Sequence, residues 1–398
     1  PLHRAFVEAG VQAGYLRSED VNGYQQDGFG RMDMTIKNGV RWSTANAYLK
    51  PALNRANLVV ETHALTRRVV FDGKRATGVE FVRDGRVFLA KAKREVILSA
   101  GVFNTPKLLM LSGVGDAQEL AEHGIESVHH LPGVGRNLQD HLGVWLHYQC
   151  TQPITLNGKL GLASKLLSGL QWLFFKRGLA ATSHFESNGY IRSRSGIAFP
   201  DIQYHFLPAA TVFEGSDTYN GHGFGVQLSH SKPLSRGRVW LRSDDPVASP
   251  RILFNYLEQE QDRLAFRAGI RLTREIVAQP AFDPFRGSEL RPGISLNTDE
   301  TLDAWVRDYV TTQYHPCGSC RMGSDDEAVV DPQTRVRGLA ALRVVDASIM
   351  PFITNANLNA PTIMIAERAS DLILGKPLLE SNVQSYFESD WERRQRPG

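Results

Sequence analysis

EVILSAGVFNTPKLLMLSGVG, residues 95–115, decides how the rest of the chain is read. EVILSAG, Glu95 to Gly101, reads as a buried strand. Gly101 supplies a turn. An apolar run then leads to Gly113 and Gly115, which can end a helix, and Pro106 can occupy that helix's first turn. Strand, glycine turn and helix form an α/β unit. Upstream, residues 58–93 alternate β-branched runs with Asp72-Gly73 and Asp84-Gly85, both hairpin signals. Downstream lie a second glycine-rich loop, LPGVGRNLQDH (131–141), and an aromatic-rich stretch from about 143 to 233. Over 258–279, Leu264, Ala268, Leu272 and Ile276 recur every four residues until Pro280, predicting a helix. A second helix is expected near 298–310, with Thr298 as N-cap and Leu302, Trp305, Val306 and Tyr309 on one face. LRVVDAS (342–348) reads as another strand, and a last helix is expected from Pro361 to about Leu374, ahead of Gly375. The charged tail FESDWERRQRPG (387–398) is expected to fray.

Composition narrows the function classes. The 398 residues are 42% apolar and 22% charged, with 35 Gly and 19 Pro, an ordinary globular balance that excludes disorder, collagen and coiled coil. A net charge of +3 spread along the chain leaves no nucleic-acid footprint. Three cysteines cannot build a disulfide scaffold. LLSGLQWLFF (166–175) falls short of the roughly 20 apolar residues of a membrane span. It is expected to be a core helix, with a helix lying on a membrane surface as the alternative.

Two motifs tempt and fail. Cys317-Gly-Ser-Cys320 has one further cysteine, Cys150, to draw on, and His315 is too near in sequence to be an independent zinc arm, so no metal is expected. Gly133-Val-Gly135-Arg-Asn-Leu138 lacks the third glycine of G-x-G-x-x-G. The C-terminal third is richer. His315 sits in a loop of small residues (TTQYHPCGSCRMG, 311–323), a strand ends in Asp346, and Asn355, Asn357 and Asn359 precede a helix. Asp at a strand's carboxyl end, ahead of a helix start, suits a dinucleotide cofactor.

These motifs, taken in order, resemble the glucose-methanol-choline family of FAD-dependent oxidoreductases. The resemblance rests on residues 101–115, on GVGRNLQDH, and on the closing run HP, VVD, LRVVDASIMP and NLNAPTIMIAERASDLI, and covers about residues 10–375. Val102 departs from the small residue usual there. VEAGVQAGY, DVNGYQQDGFGRMDMTIKNGVRWSTANAYL, HFESNGYIRS and IQYHFLP are most similar to members that oxidise choline. The implied fold is mixed α/β: part of an FAD-binding Rossmann-like domain plus an antiparallel-sheet substrate domain. The implied segments are 1–142 (FAD-binding remainder), 143–310 (mainly substrate-binding), 311–375 (catalytic and FAD-contacting) and a tail, 376–398. Because the family's G-x-G-x-x-G unit precedes the point where Pro1 stands, the chain is expected to be the latter part of a longer enzyme. On its own it is then either active with FAD or a non-catalytic piece.

The resemblance also implies roles. An alcohol oxidised by hydride loss needs a base near neutral pKa, which maps to His315. Asn357 would hold the substrate oxygen. Asp346, Ala347, Asn359 and Thr362 would contact FAD, and Leu65 and Thr66 its adenine. Glu186, Tyr314 and His230 would contact the substrate, choline or a similar small alcohol oxidised to betaine aldehyde and on to glycine betaine. A respiratory quinone as electron acceptor and a peripheral site on a bacterial or mitochondrial inner membrane are implied by the same likeness.

Overall fold

The structure is a computed structural model that describes residues 1–210, 219–377, 379–380 and 390–396. In chain order its main elements are α1 (Leu2–Gln12), β1 (Gly28–Arg31), β2 (Leu65–Asp72), β3 (Arg75–Arg83), β4 (Arg86–Lys91), β5 (Val96–Leu98), α2 (Gly101–Leu111), β6 (Leu142–Cys150), α3 (Leu162–Phe175), β7 (Ser187–Ile191), β8 (Ile202–Leu207), β9 (Gly223–His230), α4 (Glu260–Val277), β10 (Arg286–Arg291), α5 (Asp299–Tyr309), β11 (Leu342–Val344) and α6 (Asn359–Ile373).

An antiparallel sheet runs β1-β7-β8-β9-β6-β10, with the short strand Thr311–Thr312 also paired to β6. Alternation divides it into two faces. Leu146, Tyr148, Tyr204, Phe206, Phe224, Val226 and Leu228 point into a large core with α1 and α4. Phe6 of α1 stacks on Phe206 with ring centroids 4.9 Å apart. Gly10 lets α1 approach this closely, because a Cβ there would lie 2.3 Å from the Phe29 ring. α1 and β1 therefore pack with the sheet, although they precede the α/β unit in sequence.

β5 and β11 pair in parallel, and β2–β4 form the antiparallel sheet expected from the two Asp-Gly turns. These elements and α2 share a second core with Leu109, Val329, Val336 and Val344. α2 begins at Gly101, so Pro106 lies inside the helix rather than in its first turn. Proline cannot donate to the carbonyl four residues back. That carbonyl, of Val102, instead accepts from the Ser319 hydroxyl at 2.5 Å.

Other expectations shift for physical reasons. α4 spans the expected residues, but its buried stripe is Asp262, Ala265, Phe266, Gly269, Ile270, Thr273, Ile276 and Val277. A strict four-residue repeat advances about 40° per step at 3.6 residues per turn, so Leu264 drifts out to the surface. α5 starts with the expected Thr298 cap, closed as a capping box with Thr301. α6 begins two residues before Pro361, at Asn359. The tail does not fray over 390–396. Arg396 pairs with Glu275 at 2.7 Å and covers the Tyr15 ring, while residues 387–389 and 397–398 of that expectation lie outside the described residues. Finally, α3 is not a core helix, since none of its residues is buried.

Candidate active site

The other face of the antiparallel sheet is polar. Register aligns Tyr190, Gln203, Ser229 and Gly143 in one row across β7, β8, β9 and β6, and Asn188, His205, Gln227 and Trp145 in the next. Above this face the loop carrying His315 is held by β6 and its approach. The buried carboxylate of Asp140 accepts from the His315 backbone N–H at 2.9 Å, from Thr312 Oγ1 at 2.5 Å and from the Tyr256 hydroxyl at 2.8 Å.

A chain of hydrogen bonds fixes the imidazoles. The Ser231 carbonyl can only accept, so His141 Nε2 donates to it at 3.0 Å. The Nδ1 of a neutral His141 then accepts, and His315 Nδ1 donates to it at 2.9 Å. The Nε2 of His315 is left with its lone pair, which accepts from Asn357 Nδ2 at 3.1 Å. Asn357 Oδ1 in turn accepts from Gln203 Nε2 at 2.9 Å and lies 3.4 Å from His205 Nε2. Neutral rings are what the surroundings favour. Burial, together with neighbouring His205, pulls the pKa of His315 down to about 4. Burial alone pulls His205 to about 4, and burial with His315 beside it pulls His141 to about 3. The near-neutral base expected from the sequence is therefore a more acidic one that stays unprotonated well below neutral pH.

Four buried polar atoms on this face have no partner: His147 Nε2, Asn188 Oδ1, Gln203 Oε1 and His205 Nδ1. Buried polar atoms are normally satisfied, so they point to a polar ligand on this face. Aromatic rings border it. Phe185 lies 6.3 Å from Trp145 and 6.1 Å from His205, and Trp145 stacks on His147. Glu186 follows Phe185 at the exposed rim, its Oε1 accepting from Thr182 Oγ1 at 2.9 Å.

The sequence candidates divide. His315 and Asn357 come together, and Glu186 stands at the rim. His230 does not join them. It lies on the core face of β9, with Nδ1 3.7 Å from Asp262 and its ring near Phe266. Tyr314 is next to His315 in sequence, yet its side chain is 85% exposed and its backbone left-handed at φ 61°, so it turns outward instead of forming a wall. His141, Asp140, Gln203 and His205 were not singled out as site residues. His141 sat unremarked in GVGRNLQDH, and strict alternation with Tyr204 and Phe206 was the signal that His205 and Gln203 face the other way.

A second locus lies at the carboxyl ends of the parallel strands. Val345 N–H donates to Leu98, and β5 and β11 open side by side onto Ser99–Gly101 and Asp346–Ala347. Asp346 bonds the protein through both oxygens. Oδ2 accepts from Gly101 N–H at 2.9 Å and Thr105 Oγ1 at 2.6 Å, and Oδ1 from Ser348 N–H at 2.8 Å. The carboxylate thus ties the two strand ends together and keeps acceptor capacity on Oδ1 for its expected use on cofactor hydroxyls. Ser99 and Ala100 are exposed. Gly101, at φ 82°, has nothing within 4 Å of where a Cβ would stand. α6 starts nearby in sequence with no side-chain cap. Asn359 Nδ2 reaches Thr35 Oγ1 at 3.4 Å, and Thr362 Oγ1 donates back to Leu358. Leu65 and Thr66 open β2, paired with Val82 and Phe81, and join neither the His315 network nor the strand-end pair.

Comparison with known proteins identifies the family. Family models described as GMC oxidoreductase cover residues 1–143 and 233–366. An oxygen-dependent choline dehydrogenase of Photobacterium profundum is 52% identical over all of this chain and 71% of its own length. That of Brucella ovis is 52% identical over 98% of the chain and 72% of its own. Among solved structures, pyridoxine 4-oxidase from Mesorbium loti is 30% identical with TM-score 0.84, covering 95% of this chain and 70% of that one. A formate oxidase from Aspergillus oryzae, in a study of FAD modification, is 26% identical with TM-score 0.88, covering 94% and 70%. The open strand ends and uncapped helix start fit FAD, which Ser99–Gly101 and the start of α6 would hold. On both the sequence matches and the shared architecture, the chain belongs to the GMC oxidoreductase family of FAD-dependent enzymes acting on CH–OH groups.

Proposed function

We propose that this chain carries the substrate and catalytic machinery for oxidising choline to betaine aldehyde and, once water has added to the aldehyde to form its gem-diol, for a second hydride loss that gives glycine betaine. The observation that carries the reading is the His315–Asn357 pair, fixed by His141, Gln203 and His205 over a polar sheet face with aromatic rings and Glu186 at its edge. FAD, when bound, supplies the two-electron acceptor. Everything else falls to side chains of this chain. A substrate hydroxyl entering between His315 and Asn357 replaces their mutual hydrogen bond. It donates its proton to His315 Nε2, and its oxygen accepts from Asn357 Nδ2, which steadies the developing alkoxide. The carbon then gives up hydride and becomes the aldehyde. His315 needs no prior deprotonation, because burial already keeps it neutral.

A quaternary ammonium offers no N–H donor. It is held by aromatic faces and a carboxylate, here Phe185, Trp145 and Glu186. The Glu186→Gln variant tests the substrate. The KM for choline should rise about tenfold while that of an uncharged primary alcohol stays put, as expected for one ion contact worth about 1.4 kcal/mol. An equal effect on both alcohols would overturn choline and leave a general alcohol oxidoreductase.

For the electron acceptor we propose a respiratory quinone, with the protein held peripherally at a bacterial or mitochondrial inner membrane. Oxygen is the rival acceptor, because the matching relatives are oxygen-dependent by name, and the sequence resemblance to dehydrogenases is what supports the quinone. Hydrogen peroxide appearing as fast as aldehyde would overturn it.

A further inference from the structure

We infer that α3 is a docking helix for an anionic lipid surface. This gives a physical element to the peripheral placement proposed above and does not depend on which alcohol is oxidised. α3 is the only one of the six helices labelled here in which no residue is buried. A stripe of Ser164, Ser168 and Trp172 is half-buried and attaches it to the protein. Trp172 Nε1 donates to the Gly39 carbonyl at 2.7 Å, seating the helix on the hairpin of Ile36–Lys37 and Val40–Arg41. The opposite side is apolar and faces outward. Leu166, Leu167, Leu170, Leu173 and Phe174 are 63%, 68%, 44%, 56% and 71% exposed. At 3.6 residues per turn they share an arc of about 120°. Such a face is normally covered by something apolar.

Charge says what covers it. No carboxylate occurs between Asp140 and Glu186. Lys165 lies on the helix, and Lys159, Lys176 and Arg177 flank it. The supporting hairpin adds Lys37 and Arg41, both exposed. Lys176 holds its ammonium 3.9 Å over the Trp172 ring at the end of the helix. An apolar arc on a segment whose own charges are all cationic complements a bilayer with anionic headgroups, where acyl chains take the leucines and headgroups the lysines. At about 1.5 Å per residue the 14-residue helix is about 21 Å long, shorter than the roughly 30 Å hydrocarbon layer, so it lies along the surface, and no helix among the described residues is long and apolar enough to cross. The chain continues from α3 to Thr182, whose hydroxyl holds Glu186. Docking therefore sets the rim of the substrate face close to the headgroups.

The test is sedimentation of the purified chain with vesicles of roughly 3:1 phosphatidylcholine to phosphatidylglycerol, against phosphatidylcholine alone. Binding is expected to the mixed vesicles and to weaken in about 0.5 M sodium chloride. Leu166→Ser/Leu170→Ser/Phe174→Ser should lower partitioning at least about tenfold, and Lys165→Glu/Arg177→Glu by about tenfold. Both variants should keep the wild-type circular dichroism melt. Absence of vesicle binding, equal binding to both lipids, or wild-type binding by the triple variant would overturn the proposal. So would concentration-dependent self-association, lost in the triple variant, with no vesicle binding. That last result would assign the face to a second copy of the chain. None of these readings uses turnover, so they stand apart from the choline test.

Discussion

The two faces of strand β8 are made of consecutive residues and do opposite things. Ile202, Tyr204 and Phe206 face α1 and α4 in a mainly apolar core, where burial raises the pKa of the Tyr204 phenol above its normal range. Gln203 and His205 face Asn357 and His315, among polar atoms that burial leaves without partners. One face maximises apolar contact. The other forgoes that gain to hold neutral imidazoles and an amide in fixed orientation. The lesson is that stability and chemistry are separated here by a period of two residues rather than by domain, and each prediction below probes one face against the other.

The largest effect belongs to the polar face. His315→Ala should lower kcat by about 10³-fold, the scale of a lost general base, with little change in the unfolding midpoint. Equal loss of activity and stability would make His315 a structural residue. On the core face, Phe206→Ala should cost about 3–5 kcal/mol in urea unfolding while the folded fraction keeps its kcat. Acid should separate the faces next. His315 and His205 titrate near 4, and His141 near 3, when folded, against about 6.5 unfolded. The unfolded chain therefore binds more protons between these values, so stability is complete above about 6.5 and falls as pH drops toward 4. The urea midpoint measured against pH checks this, and a flat profile would mean the three rings are not held neutral. The smallest effect is expected of Gln203→Leu. Loss of its bond to Asn357 should lower kcat about tenfold with a stability loss of at most about 1–3 kcal/mol, since Tyr190 and Asn357 lose a donor while the buried and unpartnered Oε1 leaves as well. A kcat unchanged by that variant would remove Gln203 as a positioning residue.

Much of the fold is local and was legible. Asp72-Gly73 and Asp84-Gly85 make the expected hairpins, Thr298 caps α5, and Val96–Leu98 leads into a helix. Where reading failed, distant partners had intervened. Pro106 is tolerated mid-helix because Ser319 arrives from another part of the chain. The stretch at 166–175 was expected in the core on its apolar composition, but composition does not say whether a protein or something else covers a helix.

The site divides the same way. His315 and Asn357 are the pair that the family resemblance implied, and the fold brings them within 3.1 Å of each other. Their orientation was not legible in the sequence. It is set by His141, Asp140, Gln203 and His205, drawn from strands and loops far apart in sequence and aligned only by sheet register. His230 shows the reverse case, a plausible residue type that alternation turns to the wrong face. Residue type and spacing thus determined which chemistry this chain could hold. Tertiary structure decided which side chains carry it, because hydrogen-bond direction and burial, which set the tautomer and the pKa of each imidazole, exist only once the sheet has formed.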